Sequence, residues 1–308
     1  MLQAMNKYLV LSLLITGLIS GCGGGNNDQG TGTLSVSITD APVDNAEAVV
    51  IHFTSVTVHN SNGDSTDIPV TNPLTNQPGA SIDLLQLTGN KSVVLFDDEL
   101  KAGSYSWMRL DVDFDPAKTY IQIAGNQYAL KCTSCENNGL KLNRSFTIDA
   151  DQTTAFTLDF DLRKSITDPQ SGNDYRLRPT IRVIEASAAG SISGTVDSAL
   201  ISGLGGDAGC TVYVYDGHNI VPDDIYLPAN TNPPGDYANP LTSASVVFDA
   251  DSSRYLYTAA FLPAGDYTVS LTCDGEFDDP EAEDTIQFSA TTNTNVLAGQ
   301  TTTEDFNP

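Results

Sequence analysis

"LKAGSYSWMRLDV" at residues 100–112 returns in form as "LPAGDYTVSLTC" at residues 262–273. Both copies read Leu-x-Ala-Gly-x-Tyr and then alternate apolar with polar side chains. In the first copy Met108 and Leu110 point one way, and Arg109 and Asp111 the other. That is the period of two of a half-buried strand. Gly103 and Gly265 are expected to supply turns with positive φ. Tyr105 and Tyr267 are expected to open each strand with an amphipathic ring near a sandwich edge. Two copies about 160 residues apart predict two β-sandwich domains.

The same alternation runs through the rest of the chain. "TLSVSIT" at residues 33–39 sets Leu34, Val36 and Ile38 against Ser35 and Ser37. "AFTLDFDL" at residues 155–162 sets Phe156, Leu158, Phe160 and Leu162 against Asp159 and Asp161. Strands with one dry face belong to antiparallel sheets whose other face meets water. "NSNGDS", "AGNQ" and "DGHN" are the turns between them. "SIDLLQL" at residues 81–87 fits either a strand or one helical turn. A small, polar break falls at "EASAAGS", residues 185–191. The expectation is an all-β chain with two antiparallel sandwiches of immunoglobulin or prealbumin type, residues 34–186 and 190–308.

The beginning reads differently. Residues 8–21 carry no charge and follow Lys7. The run is too short for a bilayer core, which takes about 20 residues, and it has the layout of a signal peptide, residues 1–21. Ile19-Ser20-Gly21-Cys22 resembles a bacterial lipobox. That resemblance implies cleavage before Cys22, lipidation of its thiol, and sorting to the outer membrane, since Gly23 rather than Asp follows. The membrane is then a partner through the lipid alone. Residues 22–33 combine this cysteine with a Gly- and Asn-rich tether spanning roughly 18 Å as a flexible coil.

The chain holds 14 basic and 39 acidic residues, a formal net charge of −25. Nucleic acid is excluded as a partner, since it needs basic patches. So is docking on anionic lipid through the protein surface. The acid excess suits solubility, and it also suits divalent cations. In an exported chain Cys132, Cys135, Cys210 and Cys273 read as disulfides. The pairing Cys132–Cys135 and Cys210–Cys273 keeps each bridge within one domain. "KCTSC" has neither the second CxxC nor the histidine that a zinc site needs.

No catalytic residue is assigned. Of the three histidines, His52 and His59 lie in or beside one strand and His218 in a turn, and "GSISG" places Ile192 where a nucleophile elbow needs serine. Paired acids such as Asp111 and Asp113 read as a solvated sheet face. Calcium is the one cofactor the sequence admits. Asp40 and Asp44 follow a strand, Asp159 and Asp161 share a face, and calcium takes six to eight such oxygens. None of this fits EF-hand spacing. Equally simple is a turn capped by Asp40, with Asp161 paired to Lys164 or Arg163. "CDGEFDDPEAED" at residues 273–284 packs seven acids that either hold a cation loosely or face solvent. Trp107, Tyr213, Tyr215, Tyr255 and Tyr257 make either a stacking platform for a ligand or one half of a core.

Two resemblances add to this. Residues 32–186 resemble the bacterial lipoprotein family called domain of unknown function family 4382. The matching pieces are "LSVSITDAPVDNAEAVVIHFTSVTVH", "IDLLQLTG", "LKAGSYSWMRLDVD", "FTLDFDLRKSI" and "YRLRPTIRVI". From residue 190 on, "GSISGTV", "LPAGDYTV" and "VLAGQTTTEDF" are similar to prealbumin-like, carboxypeptidase-regulatory and starch-binding-like sandwiches. The first family implies no known activity. The expected function is a non-catalytic binding or adhesion module of the cell envelope, with a glycan or an envelope protein as ligand. The alternatives are a structural spacer, or a hydrolase with a concave pocket around a desolvated acid.

Overall fold

The computed structural model describes residues 30–41, 45–72, 75–167, 174–203, 209–227 and 238–308. The signal segment, Cys22, most of the tether and Asp44 lie outside the described residues. Strands up to Glu185 form one four-stranded and one larger sheet, and strands from Ala189 form two four-stranded sheets. Two stacked pairs of sheets result, as the alternation predicts. Each pair encloses its own apolar core. Leu34, Val36, Ile38, Phe156, Leu158 and Phe160 fill the first with residues of the facing sheet. Ile192, Val212, Val214, Val269 and Leu271 are in the second. Each such side chain contributes about 1.5–3 kcal/mol when fully buried.

The sheets are not purely antiparallel. Thr31–Ala41 runs parallel to Thr153–Asp161, and Ala189–Val196 runs parallel to Thr301–Thr303. Side-chain alternation is the same in both directions, so it cannot distinguish them. The ambiguous "SIDLLQL" is both things in turn. Ala80–Asp83 is a strand, and Leu84–Leu87 is a 3-10 turn capped by the Asp83 carboxylate, which accepts from the Leu85 amide.

In the repeat, Tyr105 donates its hydroxyl to the Lys101 carbonyl at 2.9 Å, and Tyr267 to that of Pro263 at 2.7 Å. Both rings are buried and tie their strand to the residue four positions back. Gly103 takes a φ of 145°, whereas Gly265 stays outside the left-handed region. The second glycine is therefore not a conformational requirement. Between the sandwiches the chain makes only the short 3-10 turn Ala186–Ala188 before entering the next strand. Both predicted disulfides, Cys132–Cys135 and Cys210–Cys273, are present.

The acidic face of Thr153–Asp161 departs most from expectation. Asp159 is 4% exposed and Asp161 1%. The face that should be wet is covered by the second sandwich. The strand Thr31–Ala41 touches Thr242–Ser245, and Ile181–Glu185 touches Arg254–Pro263.

Candidate functional site

The junction between the sandwiches is built by the segment that follows Asp161. Asp161 caps the one-turn helix Leu162–Ser165, its carboxylate accepting the Lys164 amide at 3.2 Å. That turn throws two cations across the gap. Arg163 donates to the Gly275 carbonyl and lies over the Tyr213 ring, 5.9 Å from its centroid. Lys164 is held on three sides: by Asp161 Oδ2 at 3.0 Å and by the carbonyls of Pro240 at 2.6 Å and Leu241 at 2.8 Å. Gly275 permits this approach, because a Cβ there would lie 2.8 Å from Arg163 Nη1. Farther along, Arg178 pairs with Glu281 and donates to the Leu227 carbonyl at 2.7 Å. Three of the chain's 14 basic residues thus reach into the second sandwich. Buried cations need such partners, since an unpaired one is costly. Asp161 pairs with Lys164, the simpler of its two expected roles.

Beside this latch lies a cavity of about 220 Å³, lined by Asp40, Asp159 and Thr39 from the first sandwich and by Ser243, Tyr257 and Phe261 from the second. Thr39 and Asp159 are register partners in the parallel pair. Arg182, the partner of Asp159 across the antiparallel neighbour, ion-pairs with it. Burial pushes the Asp159 carboxyl up, the Arg182 guanidinium pulls it down, and Asp161 pushes it up again. Among the described residues no cation pairs with Asp40. Burial first, then the charges of Asp159 and Asp161, hold it well above the usual carboxylate range. The Leu162 amide works in the opposite sense, but neither Asp40 oxygen has a partner within hydrogen-bonding geometry. The turn that Asp40 is expected to cap runs into residues 42–44, which lie outside the described residues. Phe261 takes a φ of 53° beside a register shift in the Ala189–Val196 pairing, an unusual backbone state for an aromatic residue.

A second acidic group escaped the sequence reading in part. The carboxylates of Asp224, Asp278 and Asp284 lie within 4.8 Å of one another. Two come from the flagged acidic loop, and Asp224 comes from about 50 residues upstream. Asp278 accepts from the Tyr213 hydroxyl and from the Ile225 amide at 3.1 Å. Burial raises its pKa to about 6, against those two hydrogen bonds.

The aromatic candidates are not a platform. Tyr213 and Tyr215 are buried in a small cluster with Ile225. Tyr257 is buried against Phe306, and its hydroxyl donates to the Glu304 carbonyl at 2.7 Å. Tyr255 packs edge-on against Phe248. Trp107 is half-buried, with His59 stacked on it at 4.7 Å and Lys141 Nζ 4.4 Å from the ring centroid. The His52 ring hydrogen-bonds Ser81 at 2.8 Å, and the His218 ring the Thr294 carbonyl at 3.1 Å.

Lys141 leads to another concave feature. A groove of about 560 Å³ runs between Leu140–Leu142 and Ile181–Glu185, the open flank of the first sandwich. Leu140, Leu142, Ile181 and Val183 line it, with exposed Lys141 and Arg144 beside them and no acid. Arg144 donates to the Val183 carbonyl across the gap. Among the described residues no helix is long and apolar enough to cross a membrane.

No curated protein matches the chain. Solved structures that are similar include the Bacillus anthracis TIE protein, at 11% identity over 90% of this chain and with a TM-score of 0.20. The chain spans 33% of that protein's length. Similar too are GBS52, the minor pilin of Streptococcus agalactiae, and a putative cell adhesion protein from Bacteroides fragilis. Both are 12% identical over 88% of this chain, and they are covered to 94% and 92%, with TM-scores of 0.19 and 0.22. At such scores these alignments carry no argument about ligand or partner. The family comparison is specific: residues 31–179 match the model described as Domain of unknown function (DUF4382). The first sandwich, with its acidic docking face and its basic latch, is a DUF4382 domain.

Proposed function

We infer that the chain is a lipid-anchored, non-catalytic binding module of the outer-membrane envelope, and that its ligand is an anionic glycan. The observation behind this is the groove on the first sandwich. In a chain of net charge −25 it is lined by Lys141 and Arg144 and by no acid. An apolar floor with two cations suits a sugar polymer bearing carboxylate or phosphate groups, the rings lying on half-buried Ile181 and Val183 and the anions meeting the cations. Anchoring rests on the lipobox-like Ile19-Ser20-Gly21-Cys22, and the Gly-rich segment behind it gives the body reach.

The test is a glycan array probed with the full chain. Anionic glycans are expected to bind and neutral ones not. Lys141→Ala with Arg144→Ala should weaken binding at least tenfold, and added salt should weaken the wild type. A second reading, a rigid spacer, is favoured by the latch of Arg163, Lys164 and Arg178, which fixes the two sandwiches as one body. Silence across the array would decide for it.

A further inference from the structure

The junction cavity joins two observations that neither sandwich explains alone. From the first sandwich, Asp40 is 4% exposed and both its carboxylate oxygens lack hydrogen-bond partners. From the second, Ser243 is also 4% exposed, and its hydroxyl lacks a partner. Ser243 is the register partner of Tyr213 and so shares the face that meets Arg163. Both residues line the one cavity, and so does Asp159. Buried polar atoms are normally satisfied, and unpaired ones in two separate domains facing one space call for an occupant.

Charge identifies the kind. Asp159, Asp161 and Asp83 all act on Asp40 electrostatically. The cations among them are Arg182 on Asp159 and Lys164 on Asp161. Four carboxylates against two cations leave two negative charges unbalanced. A proton on Asp40 removes one of these, and a divalent cation removes both.

We propose that the junction cavity holds one calcium ion, bound by the Asp40 and Asp159 carboxylates and the Ser243 hydroxyl. All three are hard oxygen donors, and calcium takes irregular sets of six to eight oxygens at 2.3–2.6 Å. A space of about 220 Å³ has room for waters to complete the shell, each filling about 30 Å³. Magnesium demands a near-ideal octahedron and fits this asymmetric wall poorly. With ligands from both sandwiches the ion would hold the junction closed, beside the latch. The site is independent of the Lys141 groove, so either proposal can fail alone.

The experiment is isothermal titration calorimetry of the full chain after chelator treatment, with calcium and, in parallel, magnesium. One calcium per chain is expected, at least tenfold tighter than magnesium. Asp40→Asn should abolish that heat. Ser243→Ala, which removes one hydroxyl and little volume, should weaken it about tenfold. Asp284→Asn, in the separate acidic group, should leave it unchanged. Circular dichroism of each variant in chelator separates lost binding from lost fold. An absence of calcium heat in the wild type overturns the proposal. So does heat that survives Asp40→Asn but vanishes in Asp284→Asn.

Discussion

Asp40 and Asp278 are ionisable groups kept where ionisation is disfavoured. Burial is the leading cause for both, and Asp278 is raised from 3.8 to about 6. An acid whose pKa is higher in the folded state contributes stability below its unfolded value, and that contribution is lost as pH rises through the folded value. His52, pushed down by burial and by Lys118, works the other way below 6.5. The informative measurement is therefore a difference between variants. In chelator, Asp40→Asn is expected to stabilise the chain at pH 7 by about 1–3 kcal/mol, the cost of a buried unsatisfied group. The gain should shrink as pH is lowered towards 5. Urea midpoints at pH 5, 6 and 7 check this, and a gain independent of pH would contradict it. A carboxylate that costs stability at neutral pH is a group retained for something other than folding, which fits its place in the junction cavity.

At the scale of the element, the strand Thr153–Asp161 shows how one pattern serves two environments. Phe156, Leu158 and Phe160 fill a core, while Asp159 and Asp161, alternating with them, are just as buried on the opposite face. The acids persist there because Arg182 and Lys164 stand beside them. Breaking such a pair on one side leaves an uncompensated buried charge, at about 3–5 kcal/mol. Arg182→Met is expected to lose that much. Adding Asp159→Asn should restore most of it, because the stranded charge is then gone. Denaturant titrations of the two singles and the double close the cycle. Simple additivity would mean that the pair is not coupled.

At the scale of the molecule, the latch predicts that the sandwiches unfold together. Arg163, Lys164 and Arg178 fix the second sandwich by carbonyls and an ion pair. Such an interface is specific but weak once its cations are cut. The wild type should show one calorimetric transition. Lys164→Met together with Arg178→Met should split it into two and lower the first by several degrees. A single unsplit transition in that variant would show that other contacts join the domains.

The sequence by itself determined the strands, the two apolar cores and the pairing of the cysteines. Each of these follows from information local to a strand or a domain. Leu34, Val36 and Ile38 share a face because side chains alternate, whatever lies around them. Tyr105 and Tyr267 hold their strands through contacts four residues apart, so their role was legible in the repeat. The tertiary structure decided whether the Asp159 face is wet or dry, and whether Trp107 and Tyr213 offer a ring to solvent. Alternation states which residues share a face and says nothing of what is laid against it. "LRKS" offers Lys164 or Arg163 as a partner for Asp161, but their other partners, Pro240, Leu241 and Gly275, arrive from over 70 residues away. The junction cavity is a property of two domains meeting, and no stretch of either one encodes it alone.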